Sequence, residues 1–217
     1  MTKIQKAVLL AAGKGTRMRE LTADLPKPMI EVRGKPVLQH IVQGLQAAGF
    51  REFLIIVGYR ADVVRQFFGD GAKFGACISY ITQEVQDGTG RVVELARSFA
   101  GPDPFVLAYG DILVDPANYH RLSELPDDTA AIISVKRDED VSQGGAVFVN
   151  ERFELTDLRE KPKPEQDQPE IDPSPRKEEL VAQALQFACV QEGPRGREGR
   201  ERANRAARGI GDQVEIR

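Results

Sequence analysis

The sequence predicts an α/β protein, a three-layer sandwich with helices on both sides of a mostly parallel, mixed sheet. Three observations predict it. Short apolar runs alternate along the chain with segments whose apolar residues recur at helical spacing. Strands separated in this way by helices imply parallel pairing, because a parallel neighbour needs a crossover connection. Finally, a chain of 217 residues with 41% hydrophobic and 29% charged residues can bury a core of ordinary size.

Each element can be argued in order. Ala7 to Ala11 reads as a short buried strand. Pro36 suits the opening of a helix in which Val37, Leu38, Ile41, Val42 and Leu45 recur at helical spacing, and Gly49 suits its stop. Phe53 to Val57 is a second strand, and Val63, Val64, Phe67 and Phe68 mark a second amphipathic helix. Cys77 to Ile81 is a third strand, with Cys77 expected as a buried thiol. A helix from about Thr89 to Phe99 carries Val92, Val93, Leu95, Ala96 and Phe99 on one side. Phe105 to Ala108 is a fourth strand, ended by Gly110-Asp111, and Asp115 caps a helix begun by Pro116. Ala130 to Val135, Ala146 to Val149 and Phe153 to Leu158 are further strand candidates, the last reached through a turn at Asn150-Glu151. Pro162 opens a polar, proline-rich stretch that runs to Pro175, and a modest helix is expected over 177–187. From Gly193 onward Arg, Gly, Glu and Ala dominate, a composition that buries too little surface to offset its ordering entropy. The expected organisation is a domain over 1–165 and a loosely ordered polar tail over 166–217.

Several function classes are disfavoured. A net charge of −3 argues against a general nucleic-acid binder, although a few local cations suffice for a small anionic substrate. Cys77 and Cys189 cannot build a disulfide framework or a zinc site unaided, and His40 and His120 lack ligand spacing. The apolar run after Lys6 is shorter than a signal peptide needs and meets Gly13-Lys14-Gly15 at once. No run reaches transmembrane length. The expectation is a cytoplasmic protein without membrane or nucleic-acid partners. A homo-oligomer is compatible with the sequence and not specified by it.

The strongest local signal is Leu10-Ala11-Ala12-Gly13-Lys14-Gly15-Thr16-Arg17, where the first strand gives way to a loop. In open α/β sheets the first such turn is a favoured phosphate site. Glycines let backbone N–H groups approach phosphate oxygens, while Lys14 and Arg17 add positive charge. The dinucleotide fingerprint fails because Met18 stands where a third glycine belongs, and the Walker spacing is absent. Taken alone, the octapeptide also fits a plain glycine turn.

Followed by Pro26-Lys27-Pro28-Met29, the octapeptide closely resembles the opening signature of the sugar-phosphate nucleotidylyltransferases, also called nucleoside-diphosphate-sugar pyrophosphorylases. The resemblance runs to about Pro164. It implies a Rossmann-like domain that joins a sugar 1-phosphate to a nucleoside triphosphate and releases pyrophosphate, with Mg²⁺ as cofactor. Such a transfer needs positioning and charge neutralisation more than covalent help. At 4 Å and an effective dielectric of 20, each unit charge pair contributes about 4 kcal/mol, so a few cations decide the outcome.

Residue by residue, the resemblance implies that Gly13 to Arg17 wrap the triphosphate, with Arg17 on its outer phosphates. Lys27 reaches the α-phosphate or the attacking oxygen. Gln83, with Gly88 and Thr89, matches the segment that reads the base, although Gly90 stands where alanine is common. Asp111 matches the metal-binding aspartate. Gly145 matches the glycine that admits the sugar, and Glu160 and Lys161 match its hydroxyl and phosphate contacts. Each also has a plain structural reading: a solvated lysine in a proline loop, a strand-end turn capped by Thr89, a turn aspartate.

Beyond Pro164 the resemblance lapses. A strand carrying a sugar-holding asparagine and a second metal-binding aspartate are both missing, since Asn204 and Asp212 lie in the tail without a preceding strand pattern. A truncated chain or a shifted reading frame accounts for both, and translating the other two frames tests it. The leading function is a sugar-1-phosphate nucleotidylyltransferase. A nucleotide-binding remnant or regulatory paralogue, and a cytidylyltransferase acting on a non-sugar phosphate such as phosphocholine, are the alternatives. Base and sugar stay open.

Overall fold

The computed structural model describes residues 1–13, 25–84, 89–127, 129–137, 145–150, 155–160, 182–190 and 213–216. They fall into two compact units, Met1–Leu125 and Pro126–Arg217.

In the first unit the chain begins with β1 (Thr2–Lys3) and the central strand β2 (Lys6–Ala11). A small hairpin follows, β3 (Glu31–Val32) and β4 (Lys35–Pro36). Arg33 and Gly34 at its tip both take positive φ, +53° and +76°. That pairing matches the twist of a two-residue hairpin turn. Helix α1 (Val37–Ala47), strand β5 (Glu52–Val57), helix α2 (Ala61–Phe68), strand β6 (Cys77–Thr82), helix α3 (Thr89–Ala100) and strand β7 (Phe105–Tyr109) then alternate. Helix α4 (Pro116–Arg121) and strand β8 (Glu124–Leu125) complete the unit, and β8 pairs antiparallel with β1.

Four strands form a parallel sheet in the order β7-β2-β5-β6. The chain steps outward from β2 to β5 to β6, then returns through α3 to the other side of β2 at β7. Right-handed crossovers therefore put α3 on the face opposite α1 and α2. The fold class read from the sequence stands.

Burial explains why these segments form strands. Phe53, Leu54, Ile55, Ile56 and Val57 are all buried, as the apolar core of a doubly covered strand must be. Helix α1 buries Val37, Leu38, Ile41, Val42 and Leu45, the residues its spacing predicts. It begins at Val37, with Pro36 fixing the backbone just before it rather than occupying the first turn. Asp115 caps α4 as expected, its side chain accepting a 2.8 Å hydrogen bond from the Ala117 N–H.

One expectation in this unit fails. Cys77 is exposed rather than buried. It is the first residue of β6, which ends the sheet's strand order, so its position lacks a neighbouring strand on one side.

In the second unit, β9 (Ala131–Arg137) is flanked antiparallel by β12 (Ala182–Val190) and β13 (Gln213–Ile216). Strands β10 (Gly145–Val149) and β11 (Leu155–Glu160) form an antiparallel pair with a register shift at Phe148/Val149. The helix expected over 177–187 is overturned where it is described, because 182–187 belong to β12. Pairing with β9 outweighs the helix propensity of Ala, Leu and Gln, which is a weak prior. Residues 177–181 lie outside the described residues. Strand β13 was not foreseen: Val214 and Ile216 give a short alternating pattern at the end of an otherwise apolar-poor stretch.

Candidate active site

The carboxyl ends of the four parallel strands collect most of the described residues singled out from the sequence. Moving across the sheet, Asp111 follows β7, Ala12-Gly13 follow β2, Gly58 follows β5 and Gln83 follows β6. The reversal of strand order lies between β2 and β7. A crevice at such a switch point is where open α/β sheets bind ligands. Gly13 and Asp111 flank it.

The strand ends are locked by backbone contacts. Gly110 donates its N–H to the Leu10 carbonyl at 2.8 Å, and Gln83 donates its N–H to the Val57 carbonyl at 2.8 Å. Space is tight beside them. A Cβ on Gly110 would sit 2.9 Å from the Leu10 oxygen and 3.1 Å from Leu38 Cδ1. One on Gly58 would sit 2.7 Å from the Ala12 oxygen. Gly13 is different: among the described residues, a Cβ there would meet nothing within 4 Å. A glycine at that point lets a polyphosphate approach the backbone just past the first strand.

Lys27 comes to this edge from a separate element. Residues Lys27–Met29 form a single 3₁₀ turn between Pro26 and Ile30. Met29 donates its N–H to the Pro26 carbonyl at 2.8 Å, and Pro28 and Met29 are buried. Two prolines fix φ on either side of the lysine, so its backbone is stiff. Its ammonium donates to Asp111 Oδ2 at 2.5 Å, with 39% of the lysine side chain and 23% of the aspartate side chain exposed. A partly solvated pair of this kind contributes about 1 kcal/mol or less to stability. The pair therefore exchanges partners at little cost.

Two residues that the motifs suggest for opposite charges, one for phosphate and one for a cation, thus meet at the switch point. No motif or spacing signals that they touch each other. The sequence reading also missed Gly58-Tyr59, where the Tyr59 N–H approaches the Ala12 carbonyl at 3.4 Å and braces the start of the loop. A glycine directly after the apolar run Phe53 to Val57 was the available signal.

The remaining sequence-derived residues distribute as follows. Leu10 and Ala11 end β2, with Ala11 buried. Thr89 opens the backbone of α3. Lys14, Gly15, Thr16, Arg17, Gly88 and Lys161 lie outside the described residues. In the second unit, Gly145 and Glu160 are direct cross-strand partners at one end of the β10–β11 pair.

A metal can be considered on the donor set alone. Among the described residues no group of three or more His, Cys, Asp or Glu side chains gathers to hold one. Asp111 offers a single carboxylate at a strand end. That fits Mg²⁺, which is held by one or two carboxylates together with substrate phosphate oxygens, and does not fit a cation that needs an all-protein cage. Among the described residues, no helix is long and apolar enough to cross a membrane.

A parallel sheet with a glycine at its first strand end, a lysine on a proline-stiffened turn and an aspartate across the switch point defines a Rossmann-like α/β protein with a candidate site at that edge. Comparison narrows the class. The chain belongs to the nucleotidyl transferase family, whose profile matches residues 6–184. The match runs past Pro164, where the motifs read from the sequence gave out.

Among similar proteins is the UTP–glucose-1-phosphate uridylyltransferase AglF of Haloferax volcanii, 35% identical over 161 residues, covering 72% of this chain and 65% of that protein. A glucose-1-phosphate thymidylyltransferase of Streptomyces antibioticus is 35% identical over 163 residues, covering 73% of this chain and 45% of that one. The chain thus spans 45% to 65% of these relatives' length. The solved structure of UDP-glucose pyrophosphorylase complexed with UDP-glucose superposes with a TM-score of 0.70 at 23% identity, covering 87% of this chain and 76% of that one. The inositol-1-phosphate CTP transferase from T. maritima gives 0.69 at 21% identity, over 88% and 72%. Both share the fold.

Proposed function

We propose that this chain transfers a nucleotidyl group from a nucleoside triphosphate to a sugar 1-phosphate, giving an NDP-sugar and pyrophosphate, in the cytoplasm. The observation that carries the reading is the meeting of Lys27 and Asp111 at 2.5 Å beside Gly13, at the switch point of the sheet. An ammonium and a carboxylate on that edge are the two groups such a reaction asks for.

The triphosphate lies along Ala12-Gly13 and the following loop, where Lys14 and Arg17 supply positive charge and Thr16 a hydroxyl. Backbone N–H groups of a glycine-rich turn are suited to hold phosphate oxygens. Lys27 holds the α-phosphate or the attacking sugar-phosphate oxygen and neutralises charge as it moves between them. Gln83, with Gly88 and Thr89, reads the base edge, its amide able both to donate and to accept. Gly145, Glu160 and Lys161 hold the sugar phosphate. Asp111 would hold Mg²⁺, which when bound supplies charge neutralisation on phosphate oxygens. Both substrates are anions, so bringing them together is the main barrier the site must lower.

Support comes from the family membership and from relatives named for glucose-1-phosphate nucleotidylyl transfer with different bases. Base and sugar are not read from these. The test is pyrophosphate release measured over the common nucleoside triphosphates crossed with several sugar 1-phosphates, with phosphocholine included. Turnover with at least one sugar 1-phosphate is the expected result. Turnover only with phosphocholine would move the acceptor class, and nucleotide binding with no turnover would reduce the chain to a nucleotide-binding protein.

A further inference from the structure

We propose that Lys27 guards the Asp111 carboxylate, keeping a divalent cation off the free protein until a polyphosphate draws the ammonium away. The inference rests on the function proposed above and adds the order in which the site fills.

The Lys27 ammonium and Asp111 Oδ2 are 2.5 Å apart, so one oxygen of the carboxylate is already engaged. The described residues offer no second cluster of metal ligands to compensate. A cation arriving alone would have to displace an ammonium of like charge or share the carboxylate with it, and would gain a single carboxylate in return. A cation arriving with nucleotide meets different chemistry. Phosphate oxygens carry more charge than one carboxylate and are the natural partner for an ammonium. They also supply the additional oxygens that Mg²⁺ prefers.

The mount suits this exchange. The backbone of Lys27 is fixed by Pro26, Pro28 and the buried Met29, whereas its side chain is 39% exposed and free to swing about that fixed point. One flexible side chain on a stiff base can pass from carboxylate to phosphate without moving the fold. Since coupling is reciprocal, whatever nucleotide does for cation affinity, the cation does for nucleotide affinity.

Mn²⁺, followed by its electron paramagnetic resonance signal, can be titrated without nucleotide into wild type, Lys27→Met, Lys27→Gln, Lys27→Arg, and Lys27→Met combined with Asp111→Asn. Circular dichroism melts confirm folding, and two uncharged replacements guard against the loss of one. Lys27→Met and Lys27→Gln should bind Mn²⁺ about fivefold more tightly than wild type, a factor equivalent to about 1 kcal/mol. Lys27→Arg should stay near wild type, and Asp111→Asn should abolish the gain. The gain should survive 0.5 M salt, because a contact pair is screened far less than charges a Debye length apart.

Wild-type affinity in both uncharged variants overturns the guard, as does a gain that persists without Asp111 or vanishes at high salt. The pyrophosphate assay separates the two proposals. Turnover in wild type with no gain in the variants removes the guard alone. A gain without turnover on any substrate removes the proposed reaction and leaves the guard standing.

Discussion

Gly13→Ala separates a functional glycine from a structural one. In the free protein the added methyl meets no heavy atom of the described residues within 4 Å, and Gly13 is not among the glycines with positive φ. No described neighbour resists it. Replacing glycine by alanine at a compatible position stabilises by about 0.4–1 kcal/mol through the unfolded chain. For a chain of this size each kcal/mol moves Tm by about 2–4 °C, so Tm should rise by about 1–4 °C. If a polyphosphate rests against that backbone, the same methyl stands between N–H group and oxygen. Loss of one hydrogen bond to a charged group costs about 1.5–3 kcal/mol, or about 10- to 150-fold in nucleotide affinity. Differential scanning calorimetry without ligand and isothermal titration with nucleoside triphosphate measure the two effects separately. A fall in Tm, or an unchanged nucleotide affinity, refutes the placement of phosphate on Gly13.

Three further outcomes follow from the same geometry. Gly58→Ala should lower stability by about 1–3 kcal/mol, since its methyl would press to 2.7 Å on the Ala12 backbone oxygen, which cannot rotate away; an unchanged melting temperature would contradict this packing. Lys27→Ala should reduce kcat more than nucleotide affinity, because its contact strengthens as charge shifts between phosphates, and equal loss in both would remove it from the transition state. Burial raises the Tyr119 phenol well above its ordinary value of 10.0. The folded state therefore keeps that proton where the unfolded chain loses it, so stability is intact below pH 10 and falls as pH rises beyond it, by up to about 1.4 kcal/mol per unit. Tyr119→Phe should flatten that alkaline slope in urea melts; an unaltered slope would assign it to other groups.

How far the sequence could be read depended on what sets each element. Where hydrophobic periodicity alone decides, as in Val37 to Leu45 or Phe53 to Val57, the elements emerge within a residue or so of their observed limits. Where a neighbour decides, they do not. Ala182 to Phe187 has the composition of a helix and pairs as a strand, because β9 supplies a partner that composition cannot show. Cys77 reads as core from its apolar neighbours, yet position at the end of a sheet is a property of strand order. The candidate site was legible as residue types: a glycine turn, a lysine between prolines, an aspartate after a strand. The contact between Lys27 and Asp111 was not, since 84 positions separate them and only the crossover from β6 back to β7 brings the aspartate beside β2.

Helix α1 connects both members of that pair to a single rod. Its N-terminus receives the segment carrying Lys27, where Val37 donates its N–H to the Ile30 carbonyl at 2.9 Å. Near its far end Gly44 leaves a notch that the Tyr119 ring fills so closely that a Cβ would come within 2.5 Å of Cε2. Tyr119 belongs to the helix that begins five residues after Asp111. A methyl group placed in the notch would press on the Tyr119 ring and strain the packing of the two helices. Gly44 is thus a position that touches neither charge and yet lies on the rod against which the elements flanking both are packed.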